Sequence, residues 1–276
     1  MELRTKLFFG DFALASTNKR RTATIKANCD TYLAYIPTDA YLKIIHEENK
    51  KYRLKDINMI NSMIIFKHIK QLHFEKNYFQ DFAPFVLEKD QILFKTNDPV
   101  DTFYIINQGS VDLFLNANLV EINTIIKNII LKAKETQLFN TETADELMEK
   151  YYDGLNVNNK SSIYYDNLLK KKNFLIFTNH KSEAPGIESL FLNIPFLFKA
   201  VVKSETFKYF KLDLEKWNKI LKNYNECQRE YSDLVYKKVN MILNRLSNIK
   251  NCFVEKYSSE YDLNIKLDKI KINSEK

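Results

Sequence analysis

Glycine is scarce in this sequence, with 4 glycines among 276 residues. The phosphate loop of NTPases and the dinucleotide-binding fingerprint each need several glycines at fixed spacing, so neither motif is present. The 3 cysteines, Cys29, Cys227 and Cys252, are far apart, and they form no CxxC pair and have no histidine at metal-ligand spacing. We therefore expect reduced thiols in a cytoplasmic protein that holds no metal and no cofactor.

Long apolar runs are also missing. The most apolar stretch, residues 190–202, is interrupted by Asn193, Pro195 and Lys199. It is too short and too polar to cross a bilayer. The N-terminus carries charged residues and lacks the apolar segment of a secretory signal. These patterns predict no membrane span.

Charge and catalytic motifs narrow the function further. The formal net charge is +7, but the lysines are interleaved with acidic residues, which is typical of a solvated surface. We expect no nucleic-acid partner. No Ser-His-Asp arrangement, paired carboxylates or kinase signature occurs in the sequence. We interpret His180 and Glu183 as polar residues of a loop and not as a catalytic pair. We predict that the chain is not an enzyme and has no catalytic residues.

Hydrophobic periodicity indicates a mixed first half of the chain. Residues 7–36 are predicted to form short strands, at 22–26 and 31–36 in particular, because β-branched and aromatic residues are frequent there. Helical spacing of apolar residues follows. The predicted helices are 38–49, 54–66 and 73–82, and the predicted strands after them are 85–87, 91–94, 102–106 and 111–115.

The second half begins with an Asn- and Lys-rich segment, residues 116–173, which we interpret as an insertion with helical pieces. Thr143 and Glu146 fit a capping box that opens a helix ending near Tyr152. Strands are predicted to resume at 174–177 and to continue to about residue 210. One long amphipathic helix, 221–246, and a frayed polar tail from 251 are predicted to follow.

A short motif near the N-terminus carries the chemistry. Residues 9–14 read Phe-Gly-Asp-Phe-Ala-Leu, and residues 20–24 read Arg-Arg-Thr-Ala-Thr. This run resembles the phosphate-binding cassette of cyclic-nucleotide-binding domains, whose pattern is Phe-Gly-Glu-x-Ala-Leu followed by Pro-Arg-x-Ala-Thr. The ligand-binding residues that the resemblance implies are Gly10, Asp11, Phe12, Ala13, Arg21, Thr22 and Ala23.

The resemblance gives these residues roles that fit their chemistry. Gly10 lets the backbone approach a cyclic phosphate closely. Arg21 offers a forked, charge-assisted hydrogen bond to the phosphate oxygens. Asp11 stands where the family has Glu and accepts from the ribose 2′-hydroxyl across a shorter side chain. Thr22 implies a preference for cGMP over cAMP, because its hydroxyl can reach guanine.

A second copy follows in the chain. Residues 98–106 and Gly109 resemble the opening strands of the same fold, with Asn97 in place of a glycine. Its cassette lies at 186–190 and 195–200. When this run is aligned with the family pattern on Gly186, Ile187 stands where the family has the acid that binds the ribose. Phe196 stands where the family has the arginine that binds the phosphate. We expect Glu188 on the opposite side of a strand, and a second site that does not bind nucleotide.

The implied fold class is mainly β with helices: two jelly-roll-like cyclic-nucleotide-binding β-barrels with flanking helices. The first barrel, residues 1–66, is truncated at its N-terminus, because the strands that should precede its cassette are missing. Another chain would supply them, or the sequence is a piece of a longer protein. The second, degenerate domain covers 67–250 with its insertion at 116–173, and the tail covers 251–276.

The function that the resemblance implies is a cyclic-nucleotide sensor, with a protein partner such as a kinase carrying the output. Two alternatives remain at this point. In the first alternative, which Ile187 and Phe196 favour, the barrels bind no ligand and serve as scaffolds. In the second, the chain is a DNA-binding regulator. The second alternative is disfavoured because no turn and recognition helix follow the barrels.

Overall fold

The computed structural model describes residues 9–10, 23–41, 43, 47–152 and 169–274. The chain divides into two compact units, Met1–Asn58 and Met59–Lys276. The boundary falls inside a helix. Among its described residues, the first unit contains the helices α1 (Thr38–Ala40) and α2 (Glu47–Ser62), the second of which crosses the boundary.

The described part of the first unit contains no strand. Residues 23–36 form neither helix nor strand and are exposed, and the aromatic rings of Tyr32 and Tyr35 stand almost fully in solvent. The strand prediction for 23–26 and 31–36 is therefore wrong. High β-propensity makes no strand by itself, and no neighbouring strand pairs with this segment among the described residues. Most of the predicted strand region before residue 23 lies outside the described residues.

The second unit contains two antiparallel sheets with strand orders β1-β7-β3 and β2-β6-β4-β5. Within the described residues they stay separate, so the structure confirms antiparallel sheets with flanking helices but shows no closed barrel. The strands are β1 (Ala83–Glu88), β2 (Ile92–Phe94), β3 (Thr102–Gln108), β4 (Val111–Ala117), β5 (Lys172–Asn179), β6 (Lys199–Val202) and β7 (Thr206–Asp213).

The strands of the predicted second copy form where the sequence alternates. In β4, Val111, Leu113 and Leu115 are buried on one face, and the residues between them point outward. The turns around β3 need left-handed backbone, with φ of 67° at Asn97 and 90° at Gly109. A Cβ at Gly109 would lie 2.7 Å from the backbone oxygen of Thr206. The predicted strands 85–87, 91–94, 102–106 and 111–115 are confirmed.

Among the described residues, two helices with described bounds lie between the neighbouring strands β4 and β5, inside the segment that we predicted as an insertion. A capping box of Asn118 and Glu121 opens the first of them. Asn140 opens the second by accepting a hydrogen bond from the Thr143 backbone N–H, so the capping box predicted at Thr143 is wrong. Asn competes well as an N-cap because its short amide reaches the free N–H groups. The helices of this region, with the one before β1, are α3 (Gln71–Asn77), α4 (Leu119–Glu135) and α5 (Thr141–Tyr151).

The predicted C-terminal helix is in fact two helices, α7 (Leu214–Asn223) and α8 (Asn225–Ser274). The break lies at Tyr224, whose φ of −138° and ψ of 98° are extended. Helix α8 continues to Ser274, so the prediction of a frayed tail from residue 251 is wrong. Trp217 of α7 stacks on Phe103 of β3 with ring centroids 4.3 Å apart, which fixes α7 against the first sheet.

Candidate functional site

The second cassette begins at Gly186, which has a φ of 76° and precedes a six-residue helix, α6 (Ile187–Leu192). The sequence predicts strands from residue 174 to about residue 210, a range that includes this segment. That prediction is wrong for this segment. The left-handed glycine turns the chain out of the extended conformation and starts a helix, so Glu188 lies on α6 and not on a strand.

The ring of Phe196 lies directly against Gly186. A Cβ added to Gly186 would stand 2.8 Å from Cδ1 of Phe196 and closer still to Cε1. The ring is 2% exposed and stacks on Phe94, with centroids 3.9 Å apart and planes 12° apart. The missing side chain of Gly186 therefore makes room for a phenyl ring at the position where the resemblance expects an arginine.

Backbone hydrogen bonds hold this ring in place. The N–H of Asn97 donates to the carbonyl oxygen of Phe196 at 2.8 Å. The N–H of Phe196 donates to the carbonyl oxygen of Asp98 at 3.0 Å. The loop before β3 and the cassette loop are thus joined on both sides of Phe196. The ring cannot leave its place without breaking these two bonds or changing its rotamer against Phe94.

The wall of the first sheet beside this ring is aromatic. Tyr104 lies 5.6 Å from Phe94 and 6.1 Å from Tyr209 between ring centroids. The ammonium of Lys211 stands over the rings of Phe85, Tyr104 and Tyr209 at 4.6, 5.9 and 5.9 Å. Burial raises the pKa of Tyr104 to about 12. Aromatic rings thus line this part of the first sheet, and the Lys211 ammonium borders them.

The opposite side of α6 carries a charge pair. The carboxylate of Glu188 is buried, with a side chain 1% exposed, and its Oε2 lies 3.1 Å from Nζ of Lys238 on α8. This contact is an ion pair and not an aligned hydrogen bond, since Glu188 Oε2 has no hydrogen-bond partner. Lys238 also donates to the carbonyl oxygen of Ala184 at 3.1 Å.

Tyr231 makes a further contact between α8 and α6. Its hydroxyl donates to the carbonyl oxygen of Ile187 at 3.5 Å, which is a long hydrogen bond. Burial raises the pKa of this hydroxyl, so the phenol keeps its proton and remains a donor. Sequence reasoning missed Lys238, because nothing near it in the chain indicates a partner about 50 residues upstream. Its one signal is its place on α8 two turns after Tyr231.

The residues predicted to bind ligand at the first cassette are mostly outside the described residues. Asp11, Phe12, Ala13, Arg21 and Thr22 fall there. Two of the predicted residues are described. Gly10 has a φ of 89°, a conformation that favours glycine, and Ala23 is exposed at a bend of the chain.

Neither a metal site nor a membrane-spanning helix is found in the part of the chain that the structure describes. No group of three or more His, Cys, Asp or Glu residues that could hold a metal ion occurs among the described residues. None of the described helices is both long and apolar enough to span a bilayer.

No family model matches the sequence, and no curated protein matches it either. The solved structures that it is similar to are regulatory and sensor domains of the cyclic-nucleotide-binding type. The regulatory domain of Toxoplasma gondii PKA, crystallised with cAMP, is 11% identical, with a TM-score of 0.43 over 74% of this chain and 55% of that one. The chain thus spans about half the length of that domain.

Two further structures show the same likeness. The catabolite activator protein of Thermus thermophilus is 10% identical, with a TM-score of 0.39 over 64% of this chain and 58% of that one. A cyclic nucleotide-binding-like protein from Brucella abortus is 15% identical, with a TM-score of 0.35 over 61% of this chain and 98% of that one. All three TM-scores are below 0.5.

Proposed function

We propose that the chain is a cytoplasmic regulatory protein of the cyclic-nucleotide-binding type, and that its second unit is a nucleotide-free interaction module. The observation that carries the second half of this proposal is the Phe196 ring, buried against Gly186 and stacked on Phe94. Any response to nucleotide then comes from the cassette that includes Gly10 and Arg21.

The argument against nucleotide at the second cassette is electrostatic and steric. A cyclic phosphate is an anion, and a phenyl ring offers it no hydrogen bond. An anion buried without a partner is disfavoured by about 2–5 kcal/mol, judged from buried charge pairs that have lost one member. The ring also occupies the space beside Gly186, so a phosphate would have to displace it from Phe94. Ile187, at the place of the ribose acid, has no acceptor to offer either.

The first cassette keeps the chemistry that the second has lost. Arg21 supplies a fixed positive fork for the phosphate, and Asp11 supplies an acceptor for the ribose hydroxyl. We propose cGMP over cAMP as the ligand because of the Thr22 hydroxyl. The positive φ of Gly10 is compatible with close approach of backbone to a ligand. The output activity belongs to a protein partner, and we propose no catalytic activity for the chain.

A second candidate is a scaffold in which neither unit binds nucleotide. The observation that favours it is again Phe196, because a domain that has replaced its anion ligand with a hydrocarbon keeps its fold for contacts alone. In that case the chain's function is to present surfaces to other proteins. Nucleotide binding at Arg21 separates the two candidates.

The experiment is thermal unfolding of the whole chain with and without cGMP and cAMP. A ligand that binds the native state raises the Tm, and the rise grows with ligand concentration. We expect a rise for the native sequence, its loss in Arg21→Ala, and its retention in Arg229→Ala, which removes an exposed arginine of α8. A cooperative transition whose Tm neither nucleotide shifts would contradict nucleotide binding, and the scaffold would be the remaining candidate function.

Thr22→Ala tests the choice of nucleotide in the same assay. We expect the Tm rise with cGMP to shrink and the rise with cAMP to stay, since the variant removes one hydroxyl contact to guanine, worth about 1 kcal/mol. Equal loss with both nucleotides would show that Thr22 supports the cassette and does not select the base.

A further inference from the structure

We propose that Lys238 locks helix α8 onto the cassette helix α6, so that the second unit stays closed without any ligand. This inference rests on the proposed function, because a module that binds no nucleotide needs another means of fixing its C-terminal helix. The lock consists of the Lys238 ammonium, the Glu188 carboxylate and the Tyr231 hydroxyl.

The Lys238 ammonium contacts three parts of the fold at once. It lies 3.1 Å from Glu188 on α6 and 3.1 Å from the carbonyl oxygen of Ala184 in the loop before α6. It also stands 5.1 Å from the ring centroid of Phe177 on β5. One cation on α8 thus joins the cassette helix, the loop that leads into it and the neighbouring sheet.

Helix α8 can pack on α6 because the Lys238 ammonium neutralises the buried Glu188 carboxylate. Glu188 is 1% exposed at its side chain and Lys238 is 13% exposed. A carboxylate so deeply buried is tolerated when a cation is buried with it. Without the ammonium, the closed position of α8 would cover a lone negative charge. An open position, in which water reaches the carboxylate, would then be favoured.

Helix α8 also contacts α6 through Tyr231. Tyr231, two turns before Lys238, donates to the carbonyl oxygen of Ile187 and sets its ring against Phe191, with centroids 5.1 Å apart. The residue that precedes α6, Gly186, meets the Phe196 ring. Phe196 thus contacts the start of α6, and α8 contacts the helix at Ile187, Glu188 and Phe191.

Hydrogen–deuterium exchange of the whole chain tests the lock peptide by peptide. In Lys238→Met we expect exchange at least about tenfold faster in α6 and in residues 225–250 of α8, with β3 and β4 unchanged. In Glu188→Met with Lys238→Met we expect the protection to return, because no lone charge is left to bury. The matched control is Lys134→Met, which breaks the exposed pair of Lys134 and Asp145 and leaves exchange as it was.

The possible results separate cleanly. Faster exchange throughout the sheets, or complete unfolding of both Lys238→Met and Glu188→Gln, would make the pair a condition of folding and would overturn the lock. Unchanged exchange, or a double variant as open as the single one, would overturn it too. Repeating the exchange with cAMP or cGMP tests the proposed function separately. Nucleotide-dependent protection of α6 would contradict the empty second cassette, whatever the variants show.

Discussion

The segment around Gly10 has an arginine eleven residues after its glycine, and the segment around Gly186 has a phenylalanine ten residues after its glycine. A glycine that lets backbone approach an anion also lets it approach a ring. In the second cassette a left-handed glycine and a short helix stand beside the Phe196 ring, at the place where the resemblance expects an arginine. The nature of this one side chain thus decides what we expect each cassette to hold.

The largest expected effect comes from emptying the second cassette. Phe196→Ala removes a ring that is 2% exposed, so we expect the free energy of unfolding to fall by about 3–5 kcal/mol. Equilibrium urea unfolding measures it. The matched control is Phe85→Ala, whose ring is 42% exposed and whose loss should cost about 1 kcal/mol. Similar losses of unfolding free energy for the two variants would mean that the Phe196 ring stabilises the fold no more than an exposed ring does.

A smaller effect is expected at the glycine itself. Gly186→Ala places a methyl group against the Phe196 ring and puts alanine at a φ of 76°, so we expect a loss of about 1–3 kcal/mol of unfolding free energy. The clash disappears when the ring is removed. In urea unfolding, Gly186→Ala should therefore cost less in a Phe196→Ala background. Strict additivity of the two changes would contradict the close approach.

The smallest expected effect is in the alkaline range. Burial raises the pKa of Tyr104 from 10.0 to about 12, so the folded state favours the neutral phenol. This contribution to stability is complete below pH 10 and is lost as the pH rises from about 10 to about 12. We expect Tyr104→Phe to move the alkaline unfolding midpoint upward. Tyr32→Phe, at a fully exposed ring, should leave the midpoint unchanged. A common shift for both variants would indicate a global charge effect.

The strands of the second unit could be predicted because both of their signals are local. Alternation in β4 and turn residues such as Asn97 and Gly109 fix a strand and its ends within a few residues. Local pattern failed at α6 for the same reason. The four residues Ile187 to Leu190 are too short a run to distinguish a strand from one helical turn, and the left-handed Gly186 decided between them.

The candidate site shows where sequence reasoning stops. The replacement of arginine by Phe196 was visible in the alignment of the two cassettes. Its stacking on Phe94 was not, since it depends on the pairing of β2 with β6, which are about 100 residues apart in the chain. The pairing of Glu188 with Lys238 depends on the position of α8 in three dimensions. The break at Tyr224 was equally hidden, because the apolar spacing continues through it.

The most direct test of the account is the number of nucleotides that one chain binds. Isothermal titration calorimetry with cGMP, and then with cAMP, measures that number on the native sequence, on Arg21→Ala and on Phe196→Leu. The account predicts one site per chain in the native sequence, none in Arg21→Ala, and one in Phe196→Leu, because nucleotide binds at the first cassette alone. Two sites per chain, or one site that survives Arg21→Ala, would contradict it.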